Sequence, residues 1–221
     1  MALHQLADRP ETFPAIAYQV PTRTASALPV PSNDTRRESP RIRTVYRVVR
    51  VETDRDQGFA RVRNMSDGGM RLSLNMPVML GDSVRVALTD ETELEGRVVW
   101  TNGNDCGLQF ATNIDSVMVL RDTAQHCRAD DARPPRLRTA LPAIATTEHG
   151  AKPVTVADVS LGGMKLAHDG GFEPGLPVKL CFGSGVERRG VIRWANDTMA
   201  GLMLLDQFAV EDLGAVSALR A

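Results

Sequence analysis

Arg36, Arg37 and Arg41 place three guanidinium groups just ahead of an apolar, β-branched run, VYRVVRV at residues 45 to 51. Twenty-three residues after Arg41 comes NMSDGG, residues 64 to 69. A guanidinium is a permanently charged planar fork, suited to phosphate oxygens and to the O6/N7 edge of guanine. Asn64 offers an amide that can donate to or accept from a guanine edge, and Ser66 a hydroxyl at the same turn. Gly69, with Gly68, permits positive φ and close approach of a backbone to a ligand. The chemistry the arginine cluster asks for is an anion, with a guanine edge as a second target. Each half has a plainer reading: a solvated basic stretch for the arginines, and a hairpin turn for NMSDGG, whose residues all favour turns. Asp67 is assigned to the turn alone. Arg43, Arg47, Arg61 and Arg63 read as strand-surface residues.

The elements that must position these groups repeat along the chain. At an offset of 94, Ser66 meets Ser160, Gly69 meets Gly163, Gly96 meets Gly190, Trp100 meets Trp194 and Gly107 meets Gly201. Upstream, PRIRT (40 to 44) meets PRLRT (135 to 139) at an offset of 95. Such agreement implies two copies of one unit. Each copy reads as short strands separated by turn residues, the pattern of a small antiparallel barrel. Gly81 and Gly175 mark turns. Gly96 and Gly190 fall inside strands, where a bulge or barrel corner is expected. Trp100 and Trp194 are expected in the cores. Both copies end in a helix-like stretch: residues 115 to 127, with Asp115 as N-cap, and residues 210 to 221. The organisation expected is a flexible N-terminal arm at 1–34, a first domain at 35–127 and a second at 128–221.

Composition sets limits. The hydrophobic share is 43% and the charged share 24%, as in soluble globular proteins. No run of residues is apolar enough for a membrane span, and the N-terminus lacks a signal peptide's basic start. Three scattered cysteines imply a reducing compartment, and the cytoplasm is the expected location. Net charge is −1, which gives no general pull towards nucleic acid. Charge is nonetheless uneven: residues 36 to 64 hold nine Arg against four acids, a balance of +5. The four histidines are scattered, and no phosphate-binding loop, metal-spaced Cys/His set or nucleophile elbow is present. A non-enzymatic protein without metal or cofactor is expected.

Arg-x-x-x-Arg (Arg37, Arg41), followed at this spacing by Asn-x-Ser-x-x-Gly (Asn64, Ser66, Gly69), resembles the PilZ domain. The resemblance covers residues 35–127 and again about 131 to 218. It implies a mainly β protein: two tandem six-stranded antiparallel barrels, each followed by a short C-terminal helix. It also implies a bacterial receptor for the second messenger cyclic di-GMP, bound by Arg36, Arg37, Arg41, Asn64, Ser66 and Gly69 of the first copy. The second copy departs from the pattern. PRLRT puts Arg136 at the place of Arg41 and Ala132 at the place of Arg37, while DVSLGG (158 to 163) is intact. Arg136, Asp158, Ser160 and Gly163 therefore form a degenerate second site. With no catalytic constellation, the expected role is an adaptor that relays ligand binding to a protein partner. Two other readings stay open: a PilZ-type interaction module that binds no nucleotide, and a small-barrel RNA-binding protein. The second is disfavoured by an aromatic share of 5%, since RNA-binding barrels use aromatic platforms.

Overall fold

The computed structural model describes residues 47–126 and 134–220. The expected N-terminal arm, Arg36, Arg37, Arg41, Arg43, Ala132 and most of the linker between the copies lie outside the described residues.

The first copy forms β1 (Arg47–Glu52), β2 (Gln57–Ser66), β3 (Gly69–Leu74), β4 (Ser83–Ala87), β5 (Glu93–Asn102) and β6 (Asp105–Phe110), then helix α1 (Ser116–His126). The second forms β7 (Leu137–Thr147), β8 (Gly150–Ser160), β9 (Gly163–Ala167), β10 (Pro177–Phe182), β11 (Glu187–Ala195) and β12 (Met199–Leu204). Each set closes into an antiparallel barrel with the same order, β1-β2-β3-β6-β5-β4 and β7-β8-β9-β12-β11-β10. Side chains alternate between the faces of a strand. Thus Val49 and Val51, Met70, Leu72 and Leu74, and Cys106, Leu108 and Phe110 fill the first barrel. Leu180, Ile192 and Leu202 do the same in the second.

Gly81 and Gly175 have φ of +89° and +94°, so the expected turns need glycine. Gly96 is not at a bulge. A Cβ there would lie 2.8 Å from the Gln109 carbonyl oxygen, so glycine lets β5 close onto β6. Asp115 does cap α1: its Oδ1 accepts from the Met118 N–H at 2.9 Å. The helix expected at the chain's end is only a single 3-10 turn, Val216–Leu219, entered from an extended Ala215. Glycine at 214 is a poor helix former. The buried residues Leu213, Val216 and Leu219 recur every third position, the period of a 3-10 turn rather than an α-helix.

Much of the local arginine excess is answered by acids distant in sequence. Arg50 pairs with Glu93 at 3.4 Å, Arg55 with Asp82 at 2.5 Å and Arg61 with Glu211 at 3.1 Å. Arg47 donates to the Thr123 carbonyl of α1 at 3.3 Å.

Candidate functional site

Val62 and Met65 on β2 are both buried in the first core. They are an odd number of positions apart, so strict alternation cannot place both inside. The strand resolves this with a bulge: Val62 pairs with Leu72, and the next pair is Asn64 with Arg71, leaving Arg63 as the extra residue. A bulge re-aims side chains, and this one puts Asn64 on the outer face. The second barrel does the same. Val156 and Val159 are buried, Ala157 is the extra residue, and Asp158 pairs with Lys165.

A second bulge disposes of the tryptophans. On β5, Val98 pairs with Leu108 and Trp100 with Gly107, with Val99 extra. Val98 points inward, so alternation alone would bury Trp100. The bulge instead turns it outward, and it is 36% exposed, with Trp194 at 44% behind the matching bulge on β11. The expectation of core tryptophans is therefore corrected. Each indole packs against a glycine of the next strand. A Cβ on Gly107 would meet Trp100 Nε1 at 2.0 Å, and one on Gly201 would meet Trp194 Nε1 at 2.1 Å.

These registers align one row across four strands. Asn64 pairs with Arg71, Arg71 with Gly107, and Gly107 with Trp100. The row presents an amide, a guanidinium and an indole on one outer surface. Arg71 lies 5.8 Å from the Trp100 ring centroid, within cation–π reach. Its Nη2 also donates to Asp105 Oδ2 at 2.5 Å. That bond, with the cation's charge, holds the Asp105 carboxyl below the usual carboxylate range. Arg71 and Trp100 were missed in the sequence. Their signal was available: Arg71 and Lys165 stand at the same offset as the Trp and Gly pairs, a cation between an Asx residue and a tryptophan in both copies.

The barrel's own contacts shape the turn after Asn64. Ser66 Oγ donates to the Gly69 carbonyl at 3.3 Å. Neither Gly68 nor Gly69 uses positive φ. Glycine is needed at 69 because a Cβ would fall 2.2 Å from the Leu108 carbonyl oxygen. Asp67 does more than turn the chain. Its Oδ1 accepts from the Ser116 hydroxyl at 2.6 Å and from the Ser116 N–H at 3.1 Å. The turn is thereby tied to the N-terminus of α1, and these bonds lower the Asp67 pKa.

In the second barrel the row is Asp158, Lys165, Gly201 and Trp194. It borders a cleft of about 610 Å³ that also contains Arg136, Ser160 and Gly163. Arg136 Nη1 donates to Asp158 Oδ1 at 2.5 Å. The four residues of the expected second site thus come together, and two of them neutralise each other. In the first barrel Asn64, Ser66 and Gly69 come together; Arg36, Arg37 and Arg41 lie outside the described residues. Among the described residues no cluster of His, Cys, Asp and Glu is placed to hold a metal ion, and no helix is long and apolar enough to cross a membrane.

Comparison with known proteins gives one family. The PilZ domain model matches residues 35–127. No curated protein matches the chain. Among solved structures, the PlzA protein of Borreliella burgdorferi in complex with c-di-GMP is similar at 11% identity, covering 74% of this chain and 83% of that one, with a TM-score of 0.34. The Bacillus subtilis inhibitor of motility, MotI/DgrA, is similar at 12% identity, covering 75% and 90%, with a TM-score of 0.31. Escherichia coli YcgR in complex with c-di-GMP is similar at 12% identity, covering 72% and 76%, with a TM-score of 0.28.

Proposed function

From the premise that residues 35–127 are a PilZ domain, we propose that the outer face of the first barrel binds cyclic di-GMP and that the protein is a receptor and adaptor, not an enzyme. The observation that carries this reading is the row of Asn64, Arg71 and Trp100, turned outward by two bulges beside the Ser66–Gly69 turn. Cyclic di-GMP presents two phosphates and two guanines. Asn64 meets a guanine edge and the Ser66 lone pairs accept from the ligand. Trp100, backed by the Arg71 cation, gives a base a face to stack on. Arg36, Arg37 and Arg41 supply the forks for phosphate and for O6/N7. The bound state is read by a protein partner in a bacterial cytoplasm.

The second barrel takes the interaction role. Arg136 is already paired with Asp158, so a ligand there would first have to break an ion pair. The domain limits 35–127 and 128–221, with 1–34 as the arm, belong to this proposal. Calorimetry of the purified protein against cyclic di-GMP, GTP and a short RNA tests it. One saturable site for cyclic di-GMP alone is expected. No binding of any of the three would leave the interaction module as the better reading, and binding of RNA alone would leave the RNA-binding barrel.

A further inference from the structure

The segment after β12 belongs to both barrels. Leu213, Val216 and Leu219 are buried in the second core, whereas Ala215 packs against the first. In return Phe59, on β2 of the first barrel, is 1% exposed and sits in the second barrel's core. Pairing of β3 with β2 stops at Leu74 and Ala60. Beyond that point β2 would be an open edge, with unpaired backbone groups. The Phe59 N–H instead donates to the Leu213 carbonyl at 2.7 Å.

Polar contacts surround this bond. Arg61 Nε meets Glu211 Oε1 at 3.1 Å, and Asn75 Nδ2 donates to the Glu211 carbonyl at 3.3 Å. Ser217 Oγ donates to Asp56 Oδ2 at 2.5 Å, and Gln57 Nε2 donates to the Arg138 carbonyl. At the centre two glycines meet. A Cβ on Gly58 would lie 1.8 Å from the Gly214 carbonyl oxygen, and one on Gly214 would lie 2.6 Å from Asn75 Cβ. Neither glycine has positive φ, so backbone conformation does not require them. Room for the opposing chain does.

We infer that residues 211–219 are a permanent clasp, a surface whose partner is the chain's own first barrel, and that it makes the two barrels one folding unit with a fixed mutual orientation. A swing of one barrel against the other would expose Phe59, Leu213 and Ala215 and strip the Phe59 N–H of its acceptor. Such a motion is therefore not the device by which the first barrel signals.

Gly58→Ala tests this by the sign of its effect. Inside a strand, alanine is normally neutral or stabilising relative to glycine. With the clasp closed, the new methyl strikes backbone, so the melting midpoint should fall by on the order of 5 °C. A neutral or raised midpoint overturns the inference. Hydrogen exchange on the unaltered full chain decides independently of how that variant folds. The Phe59 amide should be as protected as Val49 and Val51 in the core, and exchange at the rate of an open edge overturns the clasp. Saturating cyclic di-GMP should leave Phe59 protection unchanged; acceleration would show a clasp that opens. If the messenger does not bind at all, the ligand reading fails, and the first two measurements still judge the clasp.

Discussion

Replacing Gly107 by alanine tests the proposed site without touching a ligand-facing side chain. The added Cβ would lie 2.0 Å from Trp100 Nε1 and 2.4 Å from Cε2, so the indole must leave its place on β6. Two losses follow. The Arg71–Trp100 contact at 5.8 Å is a cation–π pair at an exposed site, worth about 0.5–1 kcal/mol. The stacking surface for a base is worth about 1–3 kcal/mol. The second dominates, and affinity for cyclic di-GMP should fall about 5- to 150-fold. The strand itself should tolerate the change, because alanine suits a strand at least as well as glycine. The chain has two tryptophans, so in a Trp194→Phe background the fluorescence of Trp100 reports ring displacement directly, and calorimetry reports affinity. Gly201→Ala is the matched control, moving Trp194 over the self-paired site with no loss of affinity. If Trp100 fluorescence shifts while affinity holds within a factor of two, the indole is not part of the site.

Arg37→Ala or Arg41→Ala should each weaken cyclic di-GMP binding roughly tenfold to a hundredfold, since a hydrogen bond to a charged group is worth about 1.5–3 kcal/mol, with no fall in melting temperature; calorimetry and a thermal scan check both halves. Ala132→Arg combined with Asp158→Asn restores the missing guanidinium and frees Arg136, so a second equivalent of ligand should appear in the titration. Asp67→Asn should separate the turn from α1. Because hydrogen bonds from Ser116 depress the Asp67 pKa, its ionised form stabilises the fold at neutral pH, and this contribution is lost as pH falls through the depressed value. The melting difference between wild type and Asp67→Asn should accordingly be present at pH 7 and vanish in acid. Burial, aided by the Asp105 charge, pushes the Cys106 thiol up to about 11, so alkylation of Cys106 at pH 8 should proceed only on unfolding.

The two barrels were legible because Gly69, Gly96 and Gly107 recur at one offset, and each marks a place where neighbouring strands or an indole come too close for a Cβ. Turn glycines and the Asp115 cap were legible for equally local reasons. The position of Trp100 was not. Its burial depends on whether Val99 occupies a pleat, and a bulge is settled by the partner strand's register rather than by the strand's own residues. The outward turn of Asn64 was half legible: buried residues at 62 and 65 cannot coexist in a regular strand, but their burial had first to be known. The terminal 3-10 turn was half legible: Gly214 and the every-third-residue spacing of Leu213, Val216 and Leu219 lie within residues 210 to 221, but the first-barrel contacts of Gly214 and Ala215 that accompany it do not. Asp67 read as a turn residue because its partner, Ser116, stands 49 positions away.

The Phe59 contact separates the unit of descent from the unit of stability. The family pattern spans residues 35–127, and a protein engineer cutting there would follow the pattern's own boundary. The excised piece would carry a bare phenylalanine and a vacant strand edge side by side, both normally covered by residues 211–219. Such a surface is sticky in the manner of an unfinished sheet, inviting a second copy to supply the missing strand. Reporters or chimeras made from this chain should therefore begin no later than its arginines and keep residues 211–219, however remote those are from the proposed site.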